Sequence, residues 1–197
     1  MAVAADVRPG PLSRAKEHIK EYRLEEKIQT RLSDGLANIK PGEADSLIMS
    51  GIGGILMMRL LQDEEHTAKS FKELILSPQS ELFDVRRYLV SNGYLIEYEH
   101  MLCDEGKYYF IFHVLVKKDE REWLEEEYRY GKDICKDDMK TFLAYLEKEE
   151  RQYEQILEKM KQAPENDRAA QRIAQLHQDI TCLKKRRQLV YDCGCFA

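Results

Sequence analysis

Along the first 116 residues the apolar positions keep two different periods in turn, and after residue 119 only one of them survives. Met1 to Ala5 is a short continuous apolar run, read as a buried strand that Asp6 ends. A helix is expected from Pro11, a residue suited to the first helical position, with Leu12, Ala15, Ile19 and Tyr22 on one stripe. Lys27 to Leu32 reads as a strand closed by the turn Ser33-Asp34-Gly35. Ala44 to Met49 is the next, feeding a loop Ser50-Gly51-Ile52-Gly53-Gly54 and then a helix over Ile55 to Leu61. Glu73 to Leu76 follows, stopped by Ser77-Pro78, and Leu82, Val85 and Leu89 stripe another helix that ends through Asn92-Gly93. Tyr94 to Cys103 and Lys107 to Val116 are two longer strands joined by Asp104-Glu105-Gly106, a hairpin signal. Alternating βα units ending in an antiparallel hairpin predict a three-layer α/β sheet.

From Asp119 the chain becomes long charged helices. Met139, Phe142, Leu146, Tyr153, Ile156 and Met160 keep helical spacing, and Ala169, Ile173, Leu176, Ile180, Leu183 and Val190 keep it again. A turn is required between them at Ala163-Pro164-Glu165-Asn166-Asp167. Two stripes with a short connection predict an antiparallel helical hairpin of coiled-coil type. Residues 1–118 and 119–197 are therefore read as two domains.

Composition narrows this picture modestly. A net charge of −5 excludes a globally basic nucleic-acid binder, while a local basic patch stays open at Lys184-Lys185-Arg186-Arg187. The other reading of that run is a solvated helix end. Met1 opens onto small apolar residues with no basic segment, so no signal peptide is read, and no apolar run approaches the ~20 residues of a membrane span. Cys103, Cys135, Cys182, Cys193 and Cys195 lack a C-x-x-C pair, which predicts reduced thiols in a cytoplasmic protein and no metal. His18, His66, His100, His113 and His177 are dispersed, and none is assigned to catalysis; His113 reads as a packed core or edge residue.

In open α/β sheets ligands bind beyond the carboxyl ends of the strands. Four such ends carry suggestive residues: Asp6, where an acid can accept ribose hydroxyls; Asp34 with Gly35; Ser50 to Gly54; and Ser77-Pro78-Gln79. Each has a structural alternative, as a capping acid, an ordinary turn or a close-packed glycine. A dinucleotide reading of the glycine loop fails because the next strand ends in Ser77-Pro78 and not in an acid.

As an ordered set, Ala4-Ala5-Asp6-Val7-x-x-Gly10-Pro11, Asp34-Gly35-Leu36, Ser50-Gly51-Ile52-Gly53-Gly54, Leu74-Ile75-Leu76-Ser77-Pro78-Gln79, Asn92-Gly93-Tyr94, Gly106-Lys107-Tyr108-Tyr109 and Tyr130-Gly131 resemble the bacterial tRNA (adenine-22-N1)-methyltransferase family. The resemblance implies a Rossmann-like methyltransferase sheet followed by a helical coiled coil, with S-adenosylmethionine as cofactor and tRNA as partner. It implies that Asp6 meets the cofactor ribose, that Asp34 and Gly35 lie beside its adenine, and that Ser50, Gly51, Gly53, Gly54, Pro78 and Gln79 surround the transferable methyl and the target base. Asp6, Ser50 and Ser77 stand where Glu, Ala and Gln are common in that family. The family's first strand and its Asp-x-Gly-x-Asp-His loop have no counterpart. The expectation is accordingly a sheet incomplete at its centre, from a misplaced start or truncated gene, binding the cofactor poorly. The competing expectation is a non-catalytic RNA-binding or helical interaction fragment.

Overall fold

The computed structural model describes residues 1–134, 136–161 and 167–192. The expected inter-helix turn, apart from Asp167, lies outside them, as do Cys135, Cys193 and Cys195. Strand β1 (Ala2–Asp6) leads into α1 (Pro9–Glu21) and β2 (Ile28–Leu32); β3 (Ser46–Ile52) is followed by α2 (Gly54–Asp63) and the short α3 (Glu65–Ala68). Then come β4 (Glu73–Pro78), α4 (Leu82–Ser91), β5 (Leu95–Asp104), β6 (Lys107–Leu115), α5 (Glu125–Tyr130), α6 (Met139–Lys161) and α7 (Asp167–Asp192).

The strands form two sheets. β1 and β2 pair in parallel as one; the other has the order β3-β4-β6-β5, with β3 and β4 parallel and the β5–β6 hairpin antiparallel. Among the described residues the second edges of β1 and β3 have no strand partner. The open centre expected from the sequence is not closed by re-pairing. Ile48 on β3 is 72% exposed as a result.

Three boundaries differ from expectation for local reasons. α1 starts at Pro9, not Pro11, since either proline suits a first turn whose N–H groups have no partner. β3 and β4 run further than expected. The positive φ of Gly51 (77°) makes an irregularity that lets pairing resume at Ile52 opposite Pro78, so Ser50 and Gly51 are strand residues and not loop.

The core lies between the four-stranded sheet and its helices, with Met57, Leu61, Leu74, Leu76, Val85, Leu89, Phe112 and Val114 fully buried. Phe142, Leu146, Leu183 and Val190 join the same cluster, so the near ends of α6 and α7 are seated on the sheet. Their far ends pack on each other through Leu157, Leu176 and Ile180, as an antiparallel pair requires.

The joint between sheet and helices is a buried ion pair. Arg86 of α4 and Glu99 of β5 have no exposed side-chain surface and meet at 2.8 Å. The remaining donors of Arg86 reach the carbonyls of Tyr128 (3.0 Å) and Arg129 (2.9 Å), and its guanidinium lies over Phe110 and Phe112. With its donors directed this way, the arginine clamps three elements in one orientation.

Candidate active site

The loops that leave the carboxyl ends of β3 and β4 touch. Gln79 N–H donates to the Ile52 carbonyl at 2.9 Å, and Gly54 N–H donates to Ser80 Oγ at 3.4 Å. This contact depends on the missing side chain of Gly54. A Cβ there would stand 2.5 Å from the Ser80 carbonyl oxygen and 2.7 Å from Val85 Cγ2, closer than real carbons approach. At Gly53 the nearest atom would be Ser80 Oγ at 3.1 Å, a hydroxyl that can turn aside. Gly54 is thus the tighter of the two, and the structural reading of it as a close-packing glycine is part of how the site is built. Ser50, Gly51 and Gln79 are exposed at this rim and Pro78 is buried beneath it.

Asp34 and Gly35 leave β2 beside the second turn of α2. The Asp34 carboxylate is 3.5 Å from Arg59, and a Cβ on Gly35 would press on Leu60. Asp6 ends β1 at the same end of the small sheet, its carbonyl accepting from Ser33 N–H at 3.0 Å. One carboxylate oxygen accepts from Arg8 N–H at 2.7 Å. The structure therefore gathers Ser50, Gly51, Gly53, Gly54, Pro78 and Gln79 at one edge, and puts Asp34 and Gly35 against the helix that starts there. No hydrogen bond among the described residues fixes Asp6 to that group.

The basic run is not one surface. Four consecutive helical residues turn through most of a circle, so one of them must face inward. Arg186 does: it is buried and donates to the carbonyls of Gly131 (2.8 Å) and Lys132 (2.9 Å). This corrects its assignment to RNA contact. Lys184 and Arg187 both meet Glu150, at 3.5 and 2.5 Å, and Lys185 is exposed. His113 bridges Glu73 (2.8 Å) and Glu97 (3.0 Å) and stacks on Tyr98. It sits opposite Ile75, with its Glu73 partner at the start of β4, while the loops above leave that strand's far end roughly 16 Å away.

Sequence reasoning missed a cleft of about 220 Å³ lined by Ser80, Glu81, Leu82, Phe83, Arg129, Tyr130, Tyr145 and Tyr153. The signal available was the placement of Tyr145 and Tyr153 on one face of α6. Ser80 to Phe83, on the opposite side, lie more than sixty residues earlier, and periodicity says nothing of that pairing. Burial raises the hydroxyl pKa of Tyr130 and Tyr145, and pushes that of Tyr153 up to about 12. Burial likewise raises the carboxyl of Glu149, against a hydrogen bond from Tyr153 that lowers it.

Parallel βα units closed by an antiparallel hairpin, with touching loops at the strand ends, have the architecture of Rossmann-like methyltransferases. The sequence profile of the tRNA (adenine(22)-N(1))-methyltransferase family matches residues 1–185. A tRNA (adenine(22)-N(1))-methyltransferase of Bacillus subtilis is 26% identical over 190 residues, 93% of this chain and 79% of that protein. The crystal structure of the B. subtilis m1A22 tRNA methyltransferase superposes with a TM-score of 0.79 at 25% identity, covering 93% of this chain and 80% of that one. A Streptococcus pneumoniae structure in complex with S-adenosyl-L-methionine gives 0.78 at 26% identity, covering 93% and 79%. This chain belongs to the tRNA (adenine(22)-N(1))-methyltransferase family. No helix among its described residues is long and apolar enough to cross a membrane.

Proposed function

We propose that this chain transfers a methyl group from S-adenosylmethionine to N1 of adenine 22 in tRNA, in the cytoplasm. The observation that carries the reading is the joined rim formed by Gly51–Gly54 and Pro78–Ser80, held by Gln79 N–H on the Ile52 carbonyl within the family match. The donor set suits a nucleoside cofactor: Asp6 offers a carboxylate oxygen to ribose hydroxyls, and Asp34 with the bare backbone of Gly35 fits an adenine edge. The cofactor supplies an electrophilic methyl on a sulfonium. Ser50, Gly51, Gly53 and Gly54, with Pro78 and Gln79, would hold the target base.

Adenine N1 attacks with an in-plane lone pair, so no general base is needed. The work left to the protein is to hold N1 in line at about 3 Å and to tolerate the positive charge that grows on the base. Backbone carbonyls and the nearby Glu81 carboxylate are suited to that charge. Residues 1–118 carry this chemistry and 119–197 grip the tRNA. Lys184, Lys185 and Arg187 remain as cationic candidates on α7.

A second reading, an RNA-binding helical module, is favoured by one observation: β1 and β3 do not pair, so Asp6 is tied to the glycine rim through Ser33 to Gly35 and α2 and not through a shared sheet. Isothermal titration of the 197-residue chain with S-adenosylhomocysteine separates the two. Weak saturable binding that Asp34→Ala weakens further supports the methyltransferase site. tRNA binding with no response to S-adenosylhomocysteine supports the helical module instead. A charge-reversed Lys184/Lys185/Arg187 variant with unchanged tRNA affinity and salt dependence would remove α7 from the interface.

A further inference from the structure

We propose that the cleft between the Ser80–Phe83 turn and Tyr130, Tyr145 and Tyr153 is a nucleobase subsite that receives an unstacked tRNA base other than the methylated adenine. The inference rests on the tRNA reading above. At about 220 Å³ the cleft is smaller than the ~300 Å³ at which pockets begin to hold drug-sized ligands, so it suits one ring system and not a whole cofactor. Half of its lining is aromatic: Phe83, Tyr130, Tyr145 and Tyr153. Sequence-specific proteins commonly take splayed RNA bases onto such rings, because every base has a π face.

The charges around it fit a nucleotide. Arg87 is exposed, 5.6 Å above the Phe83 ring and 5.9 Å from that of Tyr128, and forms no ion pair among the described residues. It is placed to meet the phosphate of a nucleotide whose base enters beside Phe83. Arg129 also lines the cleft, 5.0 Å over Phe83, but its donors are held by Glu125 and Asp179. The Tyr130 hydroxyl donates to the Asp179 carbonyl at 3.4 Å and that of Tyr153 to Glu149, which leaves the Tyr145 hydroxyl to meet the edge of a base. Glu81 at the lip can accept from an exocyclic amine.

The cleft is coupled to the methyl-transfer rim. Ser80 and Glu81 form one wall of it, and the same two residues close on Gly53 and Gly54. A base seated in the cleft fixes the turn against which the target loop packs. It would register the tRNA so that the neighbouring adenine enters in line.

The experiment measures tRNA affinity of the full chain, using an unmodified transcript and transcripts carrying single abasic sites at nucleotides flanking position 22. Phe83→Leu should raise Kd at least about fivefold, the loss of one stacked base, while Phe83→Trp should restore it. Arg87→Gln, at an exposed site, should weaken binding and lower the salt slope by about 1. One abasic position should weaken the wild type and bind wild type and Phe83→Leu equally, because the ring and its base act as a pair. Equal Kd for wild type and Phe83→Leu on intact tRNA, or a difference that no abasic position removes, overturns the subsite alone. A wild-type chain that binds no tRNA overturns the tRNA reading itself. If Phe83→Leu loses its fold by circular dichroism, Tyr153→Leu and Arg87→Gln against the abasic series decide the matter by the same criteria.

Discussion

The two sheets of this protein are made from similar parallel βα units and end up in different physical states. In β4, Leu74 and Leu76 are fully buried between two neighbouring strands and under helices. In β1, the run Ala-Val-Ala-Ala-Asp has no buried residue, and α1 buries only Leu12. No residue before Leu36 belongs to either core cluster. Edge strands can still supply core, as Ile96 and Met101 of β5 do, but β1 has one strand partner and α1 buries only Leu12 beside it. The lesson is that Asp6, the carboxylate proposed for the cofactor ribose, stands on the less supported sheet, while the glycine rim stands on the better supported one.

The comparison is broken most forcefully through ion pairs. Replacing Glu99 by Leu leaves Arg86 buried without its counter-charge and should destabilise the protein by about 3–5 kcal/mol. In the smaller sheet Arg31 and Glu43 pair at 2.6 Å with about a quarter of each side chain exposed. Glu43→Gln should therefore cost far less, because solvent already screens that pair. Urea unfolding of both variants measures this, and equal losses would mean that the two sheets are equally anchored.

Cavity variants come next. Leu76→Ala should cost about 2–5 kcal/mol, against about 1 kcal/mol or less for Val3→Ala, whose site is half open to water. Amide exchange should agree, with β4 opening only on global unfolding and β1 opening locally. Protection of β1 equal to that of β4 would show that the small sheet is held by something beyond its visible contacts.

The same contrast marks what the sequence could tell. Each of the six strands was legible, because alternation and Gly or Pro punctuation are local signals. The site loops were legible as strand ends. The two-sheet split followed from a strand order that only the resemblance supplied. Arg86 looked like any helical arginine, and nothing local announced Glu99 as its partner. Arg186 was hidden among three identical charges until the helix rotated it inward. The aromatic cleft joins Phe83 to Tyr145 and Tyr153, a distance in sequence that no periodicity spans.

A third test is functional. Asp34→Ala should weaken S-adenosylhomocysteine binding by about 10–100-fold, the worth of a charged hydrogen bond of ~1.5–3 kcal/mol. Gly54→Ala should leave that affinity nearly unchanged and lower turnover, since its new carbon meets the Ser80 backbone and not the carboxylates. If Gly54→Ala weakened the cofactor as much as Asp34→Ala, the division of labour between the two sheets would be wrong.

The smallest expected effect compares two carboxylates of similar acidity in the two regions. Glu43 is held down at about 2, first by its hydrogen bonds from Arg31 and then by the Lys40 backbone N–H. Burial alone would raise Asp119, but hydrogen bonds from Arg121 and Trp123 outweigh it and hold it at about 2 as well. Both folded values lie below the unfolded ones. Each therefore contributes stability that is complete above about pH 4–5 and is lost as pH falls through about 2. What differs is shielding. Asp119 has no exposed side-chain surface, and its partner Arg121 is further fixed by the Ile96 carbonyl at 2.7 Å. Glu43 is open to counterions, which screen exposed charges over the ~8–10 Å of ordinary buffers and over ~3 Å in 1 M salt. In carboxyl NMR titrations, 1 M salt should raise the apparent pKa of Glu43 more than that of Asp119. Equal salt shifts would place both pairs in the same electrostatic environment and erase the last difference between the regions.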